Sequence, residues 1–155
     1  MKILIIGTVG TGKTTLAKKL SKQYKIRYYE IDLIVYDDEN NGRKRTIDEQ
    51  NDIIKKINKN EDWIIEGVLR KNLEYLLELA DKIIYLNIPK YKRNIRILTR
   101  FIKQNLKIEK ANYKQDLKML KNMYKWSKKD EEGKEEFQKM LNKYEDKLEV
   151  IRLII

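Results

Sequence analysis

The stretch that decides the fold is MKILIIGTVGTGKTTLAKKL, residues 1–20. An apolar run at residues 3–6 leads directly into a segment of glycines and threonines that contains a lysine. A short apolar run bounded by a turn is typical of a buried strand, and the apolar residues at 16, 17 and 20 recur at helical spacing. We therefore predict a strand at residues 2–6, a loop, and a helix at about residues 12–24.

The loop between this strand and this helix fits the phosphate-binding pattern G-x-x-x-x-G-K-[ST] over residues 7–14. Glycines let successive backbone N–H groups point at one anion, and the helix that follows adds the positive end of its dipole. We expect Lys13 to lie exposed over the loop and to reach the outer phosphates, Thr14 to ligate Mg²⁺, and Thr15 to bond the inner phosphate. The candidate nucleotide-binding residues are Gly7, Thr8, Val9, Gly10, Thr11, Gly12, Lys13, Thr14 and Thr15.

Strands and helices alternate along the rest of the chain. Apolar runs predict strands at residues 27–31, 63–65, 82–88 and 148–154, and helices are expected from the capping box at Thr46 and Glu49, near residues 73–79, after Pro89 and from about Glu131. Because most strands are apolar throughout, they predict a parallel sheet with helices on both faces. We predict an α/β three-layer sandwich, and a single domain over residues 1–155, since no linker or repeat interrupts it.

Composition excludes several kinds of chemistry. The chain has no cysteine and no histidine, so thiol catalysis, a zinc site of the usual kind and imidazole acid/base catalysis are excluded. No apolar run approaches the length that crosses a membrane, so we expect a cytoplasmic protein. The net charge of +11 belongs to one segment, residues 90–129, which holds 14 Lys/Arg against 2 Asp/Glu.

Three side chains mark the predicted carboxyl ends of the strands, where ligands collect in open α/β sheets. Asp32 follows the second strand, Glu66 follows the third, and Arg70 comes four residues later. A carboxylate beside the phosphate loop can hold Mg²⁺ through its water shell, and another can accept the proton of an attacking hydroxyl. The plainer alternative for each carboxylate is a helix cap or a solvated turn.

The loop in its form G-x-x-G-x-G-K-T-T, followed by Glu66-Gly67-x-x-Arg70, resembles the adenylate-kinase-type P-loop kinases. The segments YYEIDLI, DWIIEGVLR, ADKIIYLNIPKYKRNIRILTRFI and EVIRLII are similar, in order and spacing, to the small kinase-like topology modulation proteins. The resemblance implies a P-loop NTPase fold with a five-stranded parallel sheet in the order 2-3-1-4-5, with ATP and Mg²⁺ as cofactors and phosphoryl transfer as the reaction.

The same resemblance implies roles for individual residues. Glu66 matches an Asp that organises the metal, and Arg70 matches an arginine that binds the acceptor. Arg96 and Arg100 match the arginines of a lid helix that clamp the transferring phosphoryl group. The predicted catalytic residues are Lys13, Asp32, Arg96 and Arg100, with Asp32 and Arg70 binding the substrate and Thr14 and Glu66 binding the metal.

The lid belongs to a basic helical region at about residues 90–129. Its cations recur at steps of three or four and would form one basic stripe on a helix: Arg93, Arg96, Arg100, Lys103, Lys107, Lys110, Lys114, Lys118, Lys121, Lys125 and Lys128. An apolar stripe beside it is expected to be buried: Ile95, Leu98, Ile102, Leu106, Tyr113, Leu117, Leu120 and Tyr124. For the lysines beyond Lys107, the alternative is a helix face that is simply exposed to solvent. We also expect a break or a mobile stretch between about residues 104 and 115.

Two functions of different classes remain open from the sequence. The first is a small-molecule kinase that transfers the ATP γ-phosphoryl group to a hydroxyl- or phosphate-bearing acceptor, since the acceptor region at residues 33–60 is short. The alternative is a nucleotide-dependent nucleic-acid-binding protein, in which the basic stripe contacts the phosphate backbone. Steep loss of affinity with salt is typical of nucleic-acid binding and separates the two.

Overall fold

The computed structural model describes residues 1–106 and 117–152. A five-stranded parallel sheet forms its centre, and its strands, numbered along the chain, lie in the predicted order 2-3-1-4-5. The strands are β1 Lys2–Gly7, β2 Tyr28–Glu30, β3 Trp63–Gly67, β4 Lys82–Leu86 and β5 Leu148–Ile151. Outside this sheet, Tyr36–Asp37 and Arg43–Lys44 form a short antiparallel hairpin.

Helices connect the strands and cover the sheet. They are α1 Lys13–Tyr24, α2 Ile31–Val35, α3 Ile47–Asn58, α4 Leu76–Leu79, α5 Lys90–Asn105, α6 Leu117–Glu132 and α7 Lys134–Leu141. Short 3₁₀ helices occur at Asp38–Asn40, Lys71–Leu73 and Asn142–Lys147. The Thr46–Glu49 capping box at the start of α3 is present as predicted.

Two apolar cores lie on opposite faces of the sheet. Alternate residues of β1 point to different faces, so Ile3 and Ile5 join one core whereas Leu4 and Ile6 join the other. Ala17 of α1 packs in the first core, and the second contains apolar residues of α3, α4 and α7. Helices on both faces make the predicted three-layer α/β sandwich.

Several element boundaries differ from the sequence-based expectations. β2 ends at Glu30, because Ile31 begins the short helix α2 instead of continuing the strand. In place of one helix near residues 73–79, the chain forms a 3₁₀ helix at Lys71–Leu73 followed by the short helix α4. Strand β4 ends at Leu86 rather than at residue 88. The helix expected from Glu131 begins at Lys134, since α6 runs on to Glu132. β5 ends at Ile151, and residues 153–155 lie outside the described residues.

Helix α5 presents a face that the sequence did not predict. The expectation that its apolar stripe is buried was wrong over the described turns, where Ile95, Leu98, Ile102 and Leu106 are exposed. Leu117 of α6 is exposed as well. The opposite face of α5 turns inward and carries buried Arg93, Ile97 and Gln104. The inward face of α5 therefore combines a buried apolar residue with arginines that contact the loop after β1.

The expected break in the basic region concerns residues that the structure describes only in part. α5 ends at Asn105, and α6 begins at Leu117. Residues 107–116, including Lys107, Lys110, Lys114 and Tyr113, lie outside the described residues, so the continuity of the basic stripe stays a prediction. Within residues 1–106 and 117–152, every helix is too short or too polar to cross a membrane.

Candidate active site

The loop between β1 and α1 makes the turn that the sequence predicts. Gly10 and Gly12 adopt left-handed φ values of 77° and 94°, which glycine tolerates at little cost. Thr11 is fully buried, and its hydroxyl donates a hydrogen bond to the Thr8 carbonyl oxygen over 3.0 Å. The remaining predicted residues flank this turn: buried Gly7, half-buried Val9 and exposed Thr15.

Lys13 is buried, and the expectation that it lies exposed was wrong. Only 9% of the residue is exposed, and its Nζ donates a hydrogen bond to the Thr8 carbonyl oxygen over 2.7 Å. The side chain folds back along the loop because an ammonium removed from water needs an oxygen partner. Its charge nevertheless lies at the loop, as a phosphate-binding lysine requires.

Thr14 and Glu66, the two predicted metal ligands, contact each other. β1 and β3 are neighbours, with Ile5 opposite Glu66 in the register, so the end of β3 lies beside the first turn of α1. The Thr14 hydroxyl donates a hydrogen bond to Glu66 Oε1 over 2.6 Å. The structure thus brings together two oxygen groups that are 52 residues apart in the sequence.

Glu66 lies in an unusual electrostatic environment. It is only 3% exposed, and this burial raises the pKa of its carboxyl. The Lys13 ammonium and the Thr14 hydroxyl lower that pKa, whereas the carboxylates of Glu30 and Asp32 raise it. The site therefore concentrates three acidic groups beside one buried ammonium.

Glu30 was missed by the sequence reasoning. It is the last residue of β2 and lies opposite Glu66 in the strand register. The signal was present in YYEID, where two carboxylates alternate at the end of a strand, but the predicted strand ran past the first of them. Both Glu30 and Asp32 belong to the acidic edge of the site.

The oxygen groups at the loop fit a magnesium ion bound together with nucleotide phosphates. Mg²⁺ prefers oxygen ligands and usually takes one or two protein groups, keeping waters and substrate phosphates for the rest. The Thr14 hydroxyl and the Glu66 carboxylate supply such a pair. Residues 1–106 and 117–152 contain no cluster of three or more acidic, cysteine or histidine residues that could hold a metal by themselves.

Asp32 and Arg70, the predicted substrate-binding residues, form an ion pair. Asp32 lies in the first turn of α2, and its Oδ1 accepts a hydrogen bond from Arg70 Nη2 over 3.2 Å. The Arg70 guanidinium also lies over the Tyr36 ring, 5.5 Å from its centroid. The Asp32 side chain is 64% exposed and that of Arg70 31%, so the pair faces solvent at the edge of the site.

A buried polar network fixes the segments that carry this pair. Arg45 donates hydrogen bonds to carbonyl oxygens at the end of α2, including that of Leu33 over 2.7 Å. Gln50 is 2% exposed and donates to the Arg45 carbonyl oxygen over 2.8 Å. Its own amide oxygen accepts a hydrogen bond from Asn72, two residues after Arg70. The network therefore ties α2 to the turn that follows β3.

Helix α5 contacts the phosphate loop through arginines. Arg96 Nη1 donates a hydrogen bond to the Thr11 carbonyl oxygen over 2.8 Å. Arg93, which the sequence reasoning did not assign to the site, is 1% exposed and donates from Nη1 to Thr8 Oγ1 over 2.6 Å. Its position one helical turn before Arg96 was the available signal. Arg100 is half-buried, and its Nε has no hydrogen-bond partner among the described residues.

Comparisons with known proteins identify the family of the chain. A family model described as an AAA domain matches residues 3–118. The chain belongs to the AAA domain family. The matched part of the chain includes β1, the phosphate loop, Glu66, Arg70 and α5. No curated protein matches the chain.

Among solved structures, the chain is similar to deoxyadenosine kinase from M. mycoides with bound dATP, with a TM-score of 0.59 and 18% identity over 100% of this chain and 93% of that one. Shikimate kinase from Aquifex aeolicus vf5 matches with a TM-score of 0.45 and 19% identity over 83% of this chain and 79% of that one. The first of these likenesses shows that the chain has the fold of P-loop kinases. The resemblance to topology modulation proteins stays a prediction.

Proposed function

We propose that the protein is an ATP-dependent phosphotransferase that transfers the γ-phosphoryl group to a small hydroxyl-bearing acceptor. The observation that carries this proposal is the contact between the Thr14 hydroxyl and the buried Glu66 carboxylate, beside Lys13 on the phosphate loop. A glycine turn that merely joined a strand to a helix would need neither a buried lysine nor a buried carboxylate, since both are costly to remove from water.

In the proposed reaction the acceptor oxygen forms a bond to the γ-phosphorus of ATP, and the bond from that phosphorus to the β–γ bridging oxygen breaks. ADP leaves with the bond electrons, and the hydroxyl proton passes to a carboxylate, for which exposed Asp32 is the candidate. Mg²⁺ held through Thr14 and Glu66 would neutralise charge on the phosphates. The task of this chain is then to position the reactants and to stabilise the developing charge.

Helix α5 supplies the cations for that stabilisation. Arg93 and Arg96 already contact the loop, through Thr8 and Thr11. A guanidinium held beside the transferring phosphoryl group stabilises charge on its oxygens without moving during the reaction. The direction in which these two residues point also favours a kinase over a nucleic-acid-binding protein, because the first cations of the basic stripe turn toward the loop rather than outward.

The test is a coupled assay of ADP release from ATP, with Mg²⁺, across nucleosides, nucleotides, sugars and sugar acids. The proposal expects release that depends on one acceptor class, and a phosphorylated acceptor detectable by mass spectrometry. Release that no acceptor stimulates contradicts it. Binding of duplex DNA or RNA that weakens steeply between 50 and 200 mM salt, by about 10³-fold or more, with no acceptor phosphorylated, would support the nucleic-acid alternative.

A further inference from the structure

Helix α5 exposes four large apolar side chains along one side. Tyr91, Ile95, Leu98 and Ile102 are 63%, 64%, 45% and 50% exposed. They follow one another at steps of four, three and four residues, so on a helix they fall within an arc of about 60°. We call these four residues the outer face of α5. A contiguous apolar surface of this kind on a folded protein is typical of a binding site.

The other sides of α5 make contacts within the protein. Arg93 and Arg96 donate hydrogen bonds to the phosphate loop, and Ile97 is buried. Helix α6 packs beside α5, where the Tyr124 hydroxyl donates a hydrogen bond to the Asn94 carbonyl oxygen over 3.4 Å. An occupant of the outer face therefore leaves the loop contacts of both arginines in place.

The shape of the outer face suits another helix. Isoleucines at 95 and 102 with a leucine between them, at steps of three and four, follow the a and d pattern of a coiled coil. On a helical projection, polar Asn94 and Thr99 border this stripe on its two sides. A helix that lies on a bilayer buries a broad apolar face to a depth of about 5–10 Å. The narrow outer face is instead a seam for one partner helix.

The charges around the outer face indicate the charge of the partner. Residues 90–106 and 117–129 contain no aspartate or glutamate, so every charged side chain in these segments of α5 and α6 is a cation. Lys90 and Lys103 are exposed, and Lys92 is half-buried. These three lysines lie on the flanks of the seam, where coiled-coil helices meet the charged side chains of their partners. Carboxylates on the partner helix would complement them.

A second copy of this chain fits the outer face poorly for the same reason. A parallel pair of α5 helices would bring Lys92 of one copy near Lys90 of the other, and an antiparallel pair centred on Leu98 would bring Lys103 near Lys92. Like charges placed together at an interface disfavour the complex. The net charge of +11 on the whole chain adds repulsion between two copies.

We propose that the outer face of α5 binds an acidic amphipathic helix of a partner protein. The apolar seam of the partner packs on the outer face, and its carboxylates pair with Lys90, Lys92 and Lys103. This interaction does not depend on the proposed kinase function, because it leaves the face of α5 that contacts the phosphate loop unchanged.

The experiment measures by fluorescence anisotropy the binding of a synthetic helix to the full chain. The probe is a labelled peptide of about three heptads with Ile at a, Leu at d and Glu at e and g, and the control peptide carries Lys in place of every Glu. The Glu peptide should bind at least about 10-fold more tightly than the Lys peptide, because several charge pairs change from attractive to repulsive. Equal or tighter binding of the Lys peptide, or no binding of the Glu peptide, overturns the inference.

Variants locate the binding surface. Ile95→Gln and Ile102→Gln should each weaken binding of the Glu peptide by about 10-fold or more, because the lost side chain no longer buries apolar surface. The matched control is Ile47→Gln, since Ile47 is 57% exposed on α3, and it should bind as wild type does. Melting curves establish that each variant is folded. If both variants of α5 bind the Glu peptide as wild type does, the inference is wrong.

Two further measurements test other occupants of the outer face. Sedimentation velocity of wild type and Ile95→Gln tests for a second copy, and flotation with vesicles of phosphatidylcholine and phosphatidylserine tests for a lipid surface. The inference expects Ile95→Gln to leave both the oligomeric state and the vesicle binding as they are in wild type. A dimer that Ile95→Gln dissociates, or vesicle binding that Ile95→Gln abolishes, overturns it.

Discussion

The Thr14 hydroxyl donates a hydrogen bond to the Glu66 carboxylate over 2.6 Å. This contact joins the first turn of α1 to the end of β3, and it places the candidate metal ligands beside the buried Lys13. Both groups present oxygen atoms, which suits Mg²⁺. The contact depends on β3 being the neighbour of β1 in the sheet.

The first prediction concerns the metal. Glu66→Gln keeps an oxygen that can accept from Thr14 but removes the negative charge, so it should raise the Mg²⁺ concentration needed for half-maximal turnover by about 10-fold or more. The measurement is a Mg²⁺ titration of ADP release at saturating ATP. Asp48→Asn, an exposed carboxylate on α3, is the control and should match wild type. Overlapping titrations for wild type and Glu66→Gln would remove Glu66 from the metal site.

The second prediction concerns the arginines of α5. Arg96→Lys keeps the charge but loses the planar fork of donors, and should lower turnover by about 10²–10³-fold with a much smaller effect on ATP binding. Arg93→Lys should act similarly, since Arg93 also contacts the loop. The family resemblance implies the same task for Arg100, and Arg100→Lys tests that prediction.

Controls for this prediction come from the distal part of the basic stripe. Lys118 and Lys121 are exposed on α6, and Lys118→Ala and Lys121→Ala should leave turnover and ATP affinity unchanged. If the lysine variants lower turnover and the arginine variants do not, the basic stripe binds a polyanionic partner, and the lid role given to α5 is wrong.

The third prediction tests how closely α5 packs on the loop. A Cβ added at Gly10, where φ is 77°, would lie 2.9 Å from the Arg93 carbonyl oxygen and 3.0 Å from Ile97. Gly42 also has a left-handed φ, of 72°, but nothing lies within 4 Å of an added Cβ. Gly42→Ala should therefore cost about 1 kcal/mol of unfolding free energy from backbone strain alone. Gly10→Ala should cost at least about 1 kcal/mol more. Equal losses of unfolding free energy for Gly10→Ala and Gly42→Ala, measured by urea denaturation, would show that α5 does not pack on Gly10 in solution.

The fourth prediction concerns pH and the start of α3. Hydrogen bonds from Arg43 and from the Thr46 backbone lower the pKa of Glu49 from 4.5 to about 2. A carboxyl with a lowered pKa stabilises the fold above its unfolded value, and that contribution is lost as the pH falls toward the folded value. The difference in unfolding free energy between wild type and Glu49→Gln should thus be constant above about pH 5.5 and should decrease as the pH falls from 4.5 toward 2.

Chemical denaturation at several pH values measures this advantage. Glu39→Gln is the control, since Glu39 is exposed and its side chain forms no hydrogen bond or ion pair within the part of the chain that the structure describes. The difference in unfolding free energy between wild type and Glu39→Gln should not decrease in the same way as the pH falls. An advantage over Glu49→Gln that stays constant between pH 4.5 and pH 3 would contradict the assigned ion pair.

Much of the site could be predicted because the strand ends of a parallel sheet meet at one edge. The phosphate loop follows β1, and Glu66 ends up beside Thr14 because β3 pairs with β1. The pattern of apolar runs predicted the strands, and the resemblance to P-loop kinases implied their order. The pairing of Asp32 with Arg70 was not predictable in the same way, because it depends on α2 turning the chain directly after β2.

The orientation of side chains around the loop could not be read from spacing. Lys13 is buried against the loop, where its Nζ donates a hydrogen bond to the Thr8 carbonyl oxygen, a contact that depends on the three-dimensional curl of the loop. In α5, apolar spacing indicated one buried face, but the face that turns inward carries Ile97 and the arginines Arg93 and Arg96, which donate hydrogen bonds to the loop. Hydrophobic patterning predicts that a helix forms, whereas the face that it buries also depends on contacts with residues distant in sequence.

The most direct test of the account is calorimetric titration of ATP, with Mg²⁺, into wild type, Lys13→Ala and the control Lys18→Ala, an exposed lysine on the same helix. Melting curves of all three establish that each is folded. If the loop binds a nucleotide through the Lys13 ammonium, Lys13→Ala should weaken ATP binding by about 10- to 100-fold, while Lys18→Ala matches wild type. Equal ATP affinity in all three folded proteins would contradict the assignment of this loop as a nucleotide-binding site.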